Sequence, residues 1–217
     1  MILNIFKPRG ITSFGVVKTI RYITKEKKVG HGGTLDPFAE GVLVIATGKD
    51  TKKLTEITNE NKRYLATIKL GSTTNTLDIE GKVVKEKKIP SLTHGMIDDV
   101  LLSFQGESMQ VPPMFSAKKV GGKKLYELAR KNIVVKREPV KIKIDEIKLI
   151  NYSTDKILFS VTCSKGTYVR VLGNDIAQKL GTVGYLESLV RTRVGSFSID
   201  KSKTIENFES SWKSSVQ

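Results

Sequence analysis

Residues 30–46, Gly-His-Gly-Gly-Thr-Leu-Asp-Pro-Phe-Ala-Glu-Gly-Val-Leu-Val-Ile-Ala, place an acidic residue in a glycine-rich turn directly before an apolar run. Glycines at 30, 32 and 33 allow backbone conformations that other residues avoid, and Pro37 disfavours helix at Asp36. The Asp36 carboxylate is therefore predicted to lie on a tight, extended turn. An isolated Asp-Pro pair usually marks a plain surface loop. This turn also carries His31, one of two histidines in the chain, and leads into a run that predicts a buried strand.

The overall charge indicates a polyanionic partner. The 217 residues include 37 Lys and Arg against 22 Asp and Glu, which gives a net charge of +15, and nucleic acid is the first candidate. An anionic membrane surface is the second candidate. The sequence shows no signal peptide, no lipidation motif, no run of transmembrane length and no evident amphipathic basic helix with an aromatic face. We therefore expect a cytoplasmic protein without a membrane partner.

Cysteine and histidine usage argues against metal and disulfide chemistry. Cys163 is the single cysteine, so an intramolecular disulfide framework and a cysteine-based metal site are excluded, and a reducing compartment is implied. His94 has no neighbouring histidine or cysteine in a ligand pattern. No metal site is predicted.

Local sequence patterns predict an α+β fold. A helix capped by Thr12 or Ser13 is expected to carry its apolar residues, from Val16 to Ile23, on one face. Further helices are predicted near 50–58, 93–104, 124–131 and 170–180. Apolar runs bounded by Gly and Pro predict strands at 2–6, 41–47, 63–70, 82–89, 139–150 and 156–163. Because short turns join many strands and helices are inserted irregularly, we expect a mostly antiparallel sheet.

Positive charge is concentrated between Lys118 and Lys148, a stretch that contains 11 Lys or Arg and four Asp or Glu. The first part of this stretch has paired lysines on both sides of a Gly-Gly hinge. These are Lys118, Lys119, Lys123 and Lys124. Lysine-rich loops are often merely solvated, but a flexible arm of this kind can also close on a phosphate backbone. Composition leaves both interpretations open.

Several separated motifs, taken together, resemble the TruB-type tRNA pseudouridine synthases, which convert uridine 55 of the TΨC arm to pseudouridine. Their order and spacing span nearly all of residues 4–197. The motifs lie at residues 7–13, 30–41, 62–64, 71–81, 111–117, 125–130, 166–170 and 189–197.

The resemblance implies a pseudouridine synthase fold, with a mixed, mostly antiparallel sheet flanked by helices and a central RNA-binding cleft. The catalytic domain is expected over residues 1–200, with a basic insertion that clamps RNA at about 113–137. Residues 201–217 are expected to form a tail or a short helix. Bacterial relatives often continue into a C-terminal PUA-type RNA-binding domain, for which the remaining residues leave no room.

The resemblance also implies that Asp36 matches the catalytic aspartate of the family. Isomerisation of uridine breaks the N1–C1′ bond, turns the base and joins C5 to C1′ without a change of oxidation state, so no cofactor is expected. An ionised carboxylate can attack C1′ or remove the C2′ proton. The sequence leaves both routes open, and both need Asp36 charged.

Two further residues take part in the chemistry that the resemblance implies. Arg170 falls where the family places an arginine paired with the catalytic carboxylate, and a guanidinium there favours the anionic form of the acid. Outside its motif, Arg170 reads as an exposed arginine at a helix start. Tyr64 matches the tyrosine that stacks on the target base, although a tyrosine in an alternating strand usually serves packing.

The chain departs from the family pattern at Asn75, where the family commonly has an aspartate. The downstream Asp78 is retained.

The remaining residues implied by the resemblance line the pocket or contact RNA. Tyr168 is expected to line the pocket and Leu186 to form its apolar wall, although an ordinary core role for Leu186 is equally reasonable. His31 is expected to enter the space vacated by nucleotides of the TΨC loop, because chemistry on a base in folded RNA requires extrusion of that base. Lys7 is expected to brace the site; the alternative is an ordinary surface lysine.

The leading functional hypothesis is a monomeric tRNA uridine-55 isomerase that acts on the TΨC stem-loop without a guide RNA. A second hypothesis is an RNA-binding or tRNA-folding chaperone that uses the same cleft. A third is a guide-dependent synthase of the archaeal and eukaryotic type. Asp36 together with Arg170 favours an enzyme, because a pure RNA binder has little use for a carboxylate facing phosphate-rich RNA.

Overall fold

A computed structural model describes residues 1–216, which divide into two compact units. Unit 1 contains Met1–Leu65 and the chain from Leu189 onward, and unit 2 contains Ala66–Ser188. The strands are β1 (Ile2–Lys7), β2 (Val29–His31), β3 (Glu40–Thr47), β4 (Lys62–Leu70), β5 (Ser72–Thr74), β6 (Val83–Glu86), β7 (Gly106–Gln110), β8 (Lys119–Val120), β9 (Lys123–Lys124), β10 (Val140–Tyr152), β11 (Lys156–Cys163), β12 (Gly184–Val194) and β13 (Phe197–Ser198). The helices are α1 (Ser13–Thr24), α2 (Leu54–Asn59), α3 (His94–Leu102), α4 (Leu125–Ala129), α5 (Val169–Lys179) and α6 (Ile205–Val216), with short 3-10 helices at Gly48–Lys53 and Ile199–Lys201.

Strand β3 is the centre of unit 1. It pairs antiparallel with β1 and with β2, and parallel with the end of β12. Its residues 42–46 are completely buried, which confirms the buried strand predicted after the glycine-rich turn. At Gly41, where φ is +106°, an added Cβ would lie 2.3 Å from the Arg191 carbonyl oxygen. The close approach of β12 to β3 therefore requires glycine at this position.

Helix α1 covers the core of unit 1 and begins as the sequence predicts. The Thr12 side chain caps it by accepting a hydrogen bond from Gly15 N at 2.9 Å, which satisfies one of the free amides of the first turn. Val16, Val17 and Ile20 are buried against the apolar side chains of β1 and β3. The opposite face of α1 is exposed.

Unit 2 is built on antiparallel pairing. Strand β10 pairs with β7 on one side and with β11 on the other, and two small ribbons, β5–β6 and β8–β9, complete the unit. Helix α5 buries Leu172, Ile176 and Ala177. An added Cβ at Gly173 would lie 2.8 Å from the Leu186 side chain, so this glycine lets α5 approach β12 closely.

The predicted α+β class and mixed, mostly antiparallel sheet pairing are confirmed. Each predicted strand and helix is present within a few residues, although 50–58 is a 3-10 helix followed by α2, and β6 is shorter than 82–89 and exposed throughout. A helix, α6, follows residue 200. The sequence analysis missed β12 because charged residues interrupt its apolar pattern. In the described residues, no helix combines the length and apolar character needed to cross a membrane.

Candidate active site

Asp36 lies on an irregular turn, as predicted, and the residue before it is fixed by α1. The Ser13 hydroxyl donates to Leu35 O at 3.0 Å and accepts from Leu35 N at 2.8 Å. The turn closes through a hydrogen bond from Ala39 N to Asp36 O at 3.1 Å. The side chain of Asp36 is half-buried, so the carboxylate is carried on a constrained backbone without being sealed in the core.

Lys7 holds the residue after Asp36. Its side chain is fully buried, and its ammonium donates to Pro8 O at 2.9 Å and to Pro37 O at 3.3 Å. Pro37 O also accepts from Gly10 N at 2.9 Å. The interpretation of Lys7 as an ordinary surface lysine is therefore wrong. Its hydrogen bonds tie β1 to the turn that carries Asp36, while its role in bracing an active site stays a prediction.

Arg191 fixes the start of the same turn, and the sequence analysis gave it no role. Its guanidinium is 1% exposed and donates to three backbone carbonyls: Val42 O at 2.8 Å, Gly33 O at 3.1 Å and Thr34 O at 3.3 Å. In β12, Arg191 follows the buried Leu189 by two residues, so both lie on the same face of the strand. Because β12 was not predicted, the sequence did not indicate that Arg191 is buried.

We expect Arg191→Lys to lower both stability and turnover. A lysine ammonium cannot span three carbonyls as the guanidinium fork does, and carbonyls left unpaired in the core cost about 1–3 kcal/mol each. Urea unfolding should show a loss of about 2 kcal/mol or more. Below the unfolding transition, kcat should fall while tRNA affinity stays near that of the natural chain.

Arg193→Lys is the matched control, because Arg193 lies on the same strand but is exposed and donates to Gly195 O, at 2.8 Å. We expect this change to alter stability by less than about 0.5 kcal/mol. Equal effects of the two changes would show that Arg191 has no special role in positioning the turn.

His31 lies at the end of β2, opposite Ile45 in β3. Burial lowers the pKa of His31 below 6.5, the Arg191 charge lowers it further, and a hydrogen bond to the Gly33 backbone opposes the shift. The imidazole is therefore neutral at pH 7. A neutral, half-buried ring is suited to insertion among bases, but the predicted contact of His31 with RNA stays a prediction.

Tyr64, on β4, is 9% exposed. Its ring is therefore mostly packed within the protein, in agreement with the alternating pattern of the strand. Stacking of Tyr64 on a target base stays a prediction.

Arg170 is a buried anchor of unit 2 rather than an exposed residue at a helix start. It lies in the first turn of α5 and is 3% exposed. Its guanidinium donates to Thr76 O at 2.7 Å and to Phe115 O at 2.8 Å, and it lies 3.4 Å from the Asp78 carboxylate. The ion pair with Asp78 was not predicted. The pairing of Arg170 with Asp36 that the resemblance implies stays a prediction.

Asp78 is itself held by its own loop. Its Oδ1 accepts from the Thr76 hydroxyl at 2.6 Å and from Glu80 N at 3.1 Å. Asn75 Oδ1 accepts from Lys82 N at 2.9 Å. The amide at position 75 thus closes the loop, and the charge that position 75 lacks relative to the family is not needed for that contact.

Tyr168 and Leu186 also lie in unit 2. The Tyr168 backbone exchanges two hydrogen bonds with the buried Gln110 side chain, at 2.8 and 3.2 Å, and its own side chain is half-buried. Leu186 is completely buried and donates its N–H to Leu77 O at 3.0 Å, next to Asp78. The burial of Leu186 agrees with a core role, while the pocket roles of both residues stay predictions.

The lysine-rich stretch forms a two-stranded hairpin, β8–β9. Gly121 and Gly122 have φ of +57° and +78°, as a two-residue hairpin turn requires. The Gly-Gly pair is therefore a turn rather than a hinge. Lys119 and Lys123 are exposed, whereas Lys124 Nζ lies 3.2 Å from the Tyr126 hydroxyl. Lys118 is half-buried at the base of the hairpin.

Across residues 1–216, no three His, Cys, Asp or Glu side chains are grouped so that they could hold a metal ion. Two groups of buried, hydrogen-bonded side chains remain as candidates for the functional site. In unit 1, Lys7 and Arg191 fix the two ends of the Asp36 turn. In unit 2, Arg170 fixes the Asp78 loop.

Comparison with known proteins gives consistent matches. Residues 21–169 match the family described as "TruB family pseudouridylate synthase (N terminal domain)". The chain is 47% identical over 206 residues to tRNA pseudouridine synthase B of Clostridium tetani, covering 95% of this chain and 71% of the relative. It is 48% identical over 209 residues to the protein of the same name from Clostridium kluyveri, covering 96% and 72%.

Solved structures are similar over the whole chain. A Cbf5-Nop10-Gar1 complex matches with a TM-score of 0.78 and 29% identity, covering 100% of this chain and 56% of that one. An H/ACA RNP bound to a substrate RNA containing 2′-deoxyuridine matches with a TM-score of 0.74 and 26% identity, covering 100% and 55%. This chain therefore spans a little over half the length of those structural relatives.

Proposed function

This chain belongs to the TruB family of pseudouridylate synthases, and we infer from that membership that it isomerises uridine to pseudouridine in tRNA. The observation that carries the inference is the 47% identity over 95% of the chain to a tRNA pseudouridine synthase B. The reaction class is an intramolecular transfer, in which a base leaves and rejoins the same ribose.

We propose that Asp36 is the catalytic carboxylate. Cleavage of the N1–C1′ bond, rotation of the base and formation of the C5–C1′ bond release the C5 proton, and the carboxylate either adds to C1′ or removes the C2′ proton. The turn supports this role because hydrogen bonds to residues 35 and 37 fix the backbone on both sides of Asp36. A fixed nucleophile or base loses little entropy when it reaches the reacting atoms.

We propose that the target is uridine 55 of the TΨC loop and that no guide RNA is required. The proteins named tRNA pseudouridine synthase B support this more strongly than the Cbf5 structures do, because they are 47–48% identical to this chain rather than 26–29%. A single cysteine, the buried Cys163, and a tRNA substrate are compatible with a cytoplasmic location.

The experiment is to incubate the purified chain alone with an unmodified tRNA transcript and to map pseudouridine by carbodiimide treatment and primer extension. We expect one new stop, at uridine 55. A stop that appears only when a guide RNA and accessory proteins are added would contradict the guide-free proposal. Faster tRNA folding without any stop would favour the chaperone hypothesis instead.

We propose that the β8–β9 hairpin contacts the phosphate backbone of the tRNA. Changing Lys118, Lys119, Lys123 and Lys124 to Ala should weaken tRNA binding and flatten its salt dependence, by about 0.7–0.9 in log–log slope for each lost phosphate contact. The measurement is a tRNA binding isotherm at several salt concentrations.

The matched control removes four other exposed lysines of unit 2: Lys82, Lys85, Lys87 and Lys88. The control removes the same total charge from the protein. If the hairpin contacts RNA, changing the four hairpin lysines should therefore flatten the salt dependence of tRNA binding more than the control does. An equal change in slope for both variants would show that the hairpin has no specific contact with RNA.

A further inference from the structure

The exposed face of α1 combines aromatic and basic side chains without an acid. Phe14 is 54% exposed and Tyr22 is 72% exposed. Lys18 and Arg21 are exposed as well, and at about 100° per residue these four residues fall within roughly one third of the helix circumference. Lys25, also exposed, follows directly as the C-cap of the helix, with φ of +57°. No amphipathic basic helix with an aromatic face was evident in the sequence, whereas in α1 basic and aromatic side chains share the exposed face.

The cations of this face have rings rather than carboxylates as neighbours. Lys18 Nζ lies 5.3 Å from the centroid of the Phe14 ring, and Lys25 Nζ lies 4.2 Å from that of Tyr22. In the described part of the chain, Lys18, Arg21 and Lys25 form no salt bridge. Their charge is therefore available to an anion from outside the protein, and the two rings are available for stacking.

The face begins at the turn that carries Asp36. Phe14 directly follows Ser13, whose hydroxyl is hydrogen-bonded to both backbone groups of Leu35. From Phe14 to Thr24 the helix extends about 15 Å at 1.5 Å per residue, and Lys25 follows directly. An RNA chain with its target nucleotide at Asp36 would therefore pass the start of this face.

We propose that the exposed face of α1, formed by Phe14, Lys18, Arg21 and Tyr22 together with Lys25 at the C-cap, binds the sugar-phosphate backbone and an unstacked base of the substrate tRNA next to the target nucleotide. Alternating cations and aromatic rings is the chemistry of nucleic-acid surfaces, where lysine and arginine contact phosphates and rings stack on bases. This inference rests on the proposed function, because it takes tRNA as the substrate.

RNA fits this face better than a membrane surface does. A helix that lies in a bilayer interface needs a free apolar face to insert. The apolar face of α1 is already occupied, because Val16, Val17 and Ile20 are at most 1% exposed in the core of unit 1. Only the mixed cationic and aromatic face remains for a partner.

The test compares two triple variants in tRNA binding. Changing Lys18, Arg21 and Lys25 to Gln should weaken binding and lower the log–log salt slope by about 2.1–2.7, at about 0.7–0.9 for each phosphate contact. The control changes Lys85, Lys87 and Lys88 to Gln, which removes the same charge from an exposed segment of unit 2. Tyr22→Ala and Phe14→Ala should each raise Kd about tenfold if their rings stack on bases.

A second readout needs no substitution. Acetylation of lysines in the natural chain, followed by mass spectrometry, should show Lys18 and Lys25 protected by saturating tRNA while Lys85 stays reactive. Equal acetylation of Lys18 and Lys25 with and without tRNA would overturn the inference. So would a triple variant of Lys18, Arg21 and Lys25 that binds tRNA as well as the control does. Both variants should also be tested on phosphatidylserine vesicles, and a triple variant that loses vesicle binding but keeps tRNA binding would likewise overturn the inference. Both readouts measure binding, so they are independent of whether the chain forms pseudouridine.

Discussion

We expect Asp36→Asn to abolish pseudouridine formation, the largest loss of activity from any single change. The tRNA affinity of the variant should stay within about tenfold, or about 1.4 kcal/mol, of the natural chain. Asparagine keeps the size and the turn preference of aspartate, so the hydrogen bonds of Leu35 and Pro37 are preserved. It can neither attack C1′ nor accept the C2′ proton. The measurements are single-turnover pseudouridine formation and tRNA binding.

Asp200→Asn is the matched control, since Asp200 is an exposed acid of unit 1 in a short 3-10 helix. The control should isomerise tRNA at the natural rate. Substantial turnover by a homogeneous preparation of the Asp36→Asn protein would refute the assignment of Asp36. Loss of both turnover and tRNA binding would instead show that the change disrupts the RNA-binding surface.

Arg170→Met should cost about 3–5 kcal/mol of folding free energy, because it removes the guanidinium that lies 3.4 Å from the buried Asp78 carboxylate. Arg170 and Asp78 have side chains that are 4% and 5% exposed, so water cannot replace the lost partner. The resemblance also predicts that pseudouridine formation is lost. Urea unfolding measures the first effect, and single-turnover kinetics at low temperature measures the second.

Two further variants separate the ion pair from the loss of packing. The double change Arg170→Met with Asp78→Asn should be less destabilised than Arg170→Met alone, because both charges of the buried ion pair are removed together. Arg9→Met removes an exposed arginine that lies 3.7 Å from Glu40, and it should cost less than about 1 kcal/mol. If Arg170→Met costs no more than Arg9→Met, the buried pair does not stabilise unit 2.

The fold and the place of Asp36 could be predicted because they depend on local chemistry. Glycine and proline restrict or free the backbone wherever they occur, so the turn at 30–41 and the strand after it are visible in the sequence. Helix α1 has an identifiable cap at Thr12 and a regular apolar face. Such signals do not depend on distant parts of the chain.

The buried cations could not be predicted from the same information. Lysine and arginine are exposed by default, whereas Lys7, Arg170 and Arg191 are buried where acceptors from segments at least 30 residues away meet them. The partners of Arg191 lie about 150 residues earlier in the chain. The same limit hid β12, whose polar residues conceal a strand that tertiary contacts stabilise.

The most direct test of the central claim uses a tRNA transcript labelled with tritium at C5 of uridine. Joining C5 to C1′ displaces the C5 hydrogen, so each isomerised uridine releases its tritium to water. The account predicts that the purified chain alone releases the equivalent of one uridine per tRNA, and that a transcript with cytidine at position 55 releases none. No release above the level of the Asp36→Asn protein would contradict it.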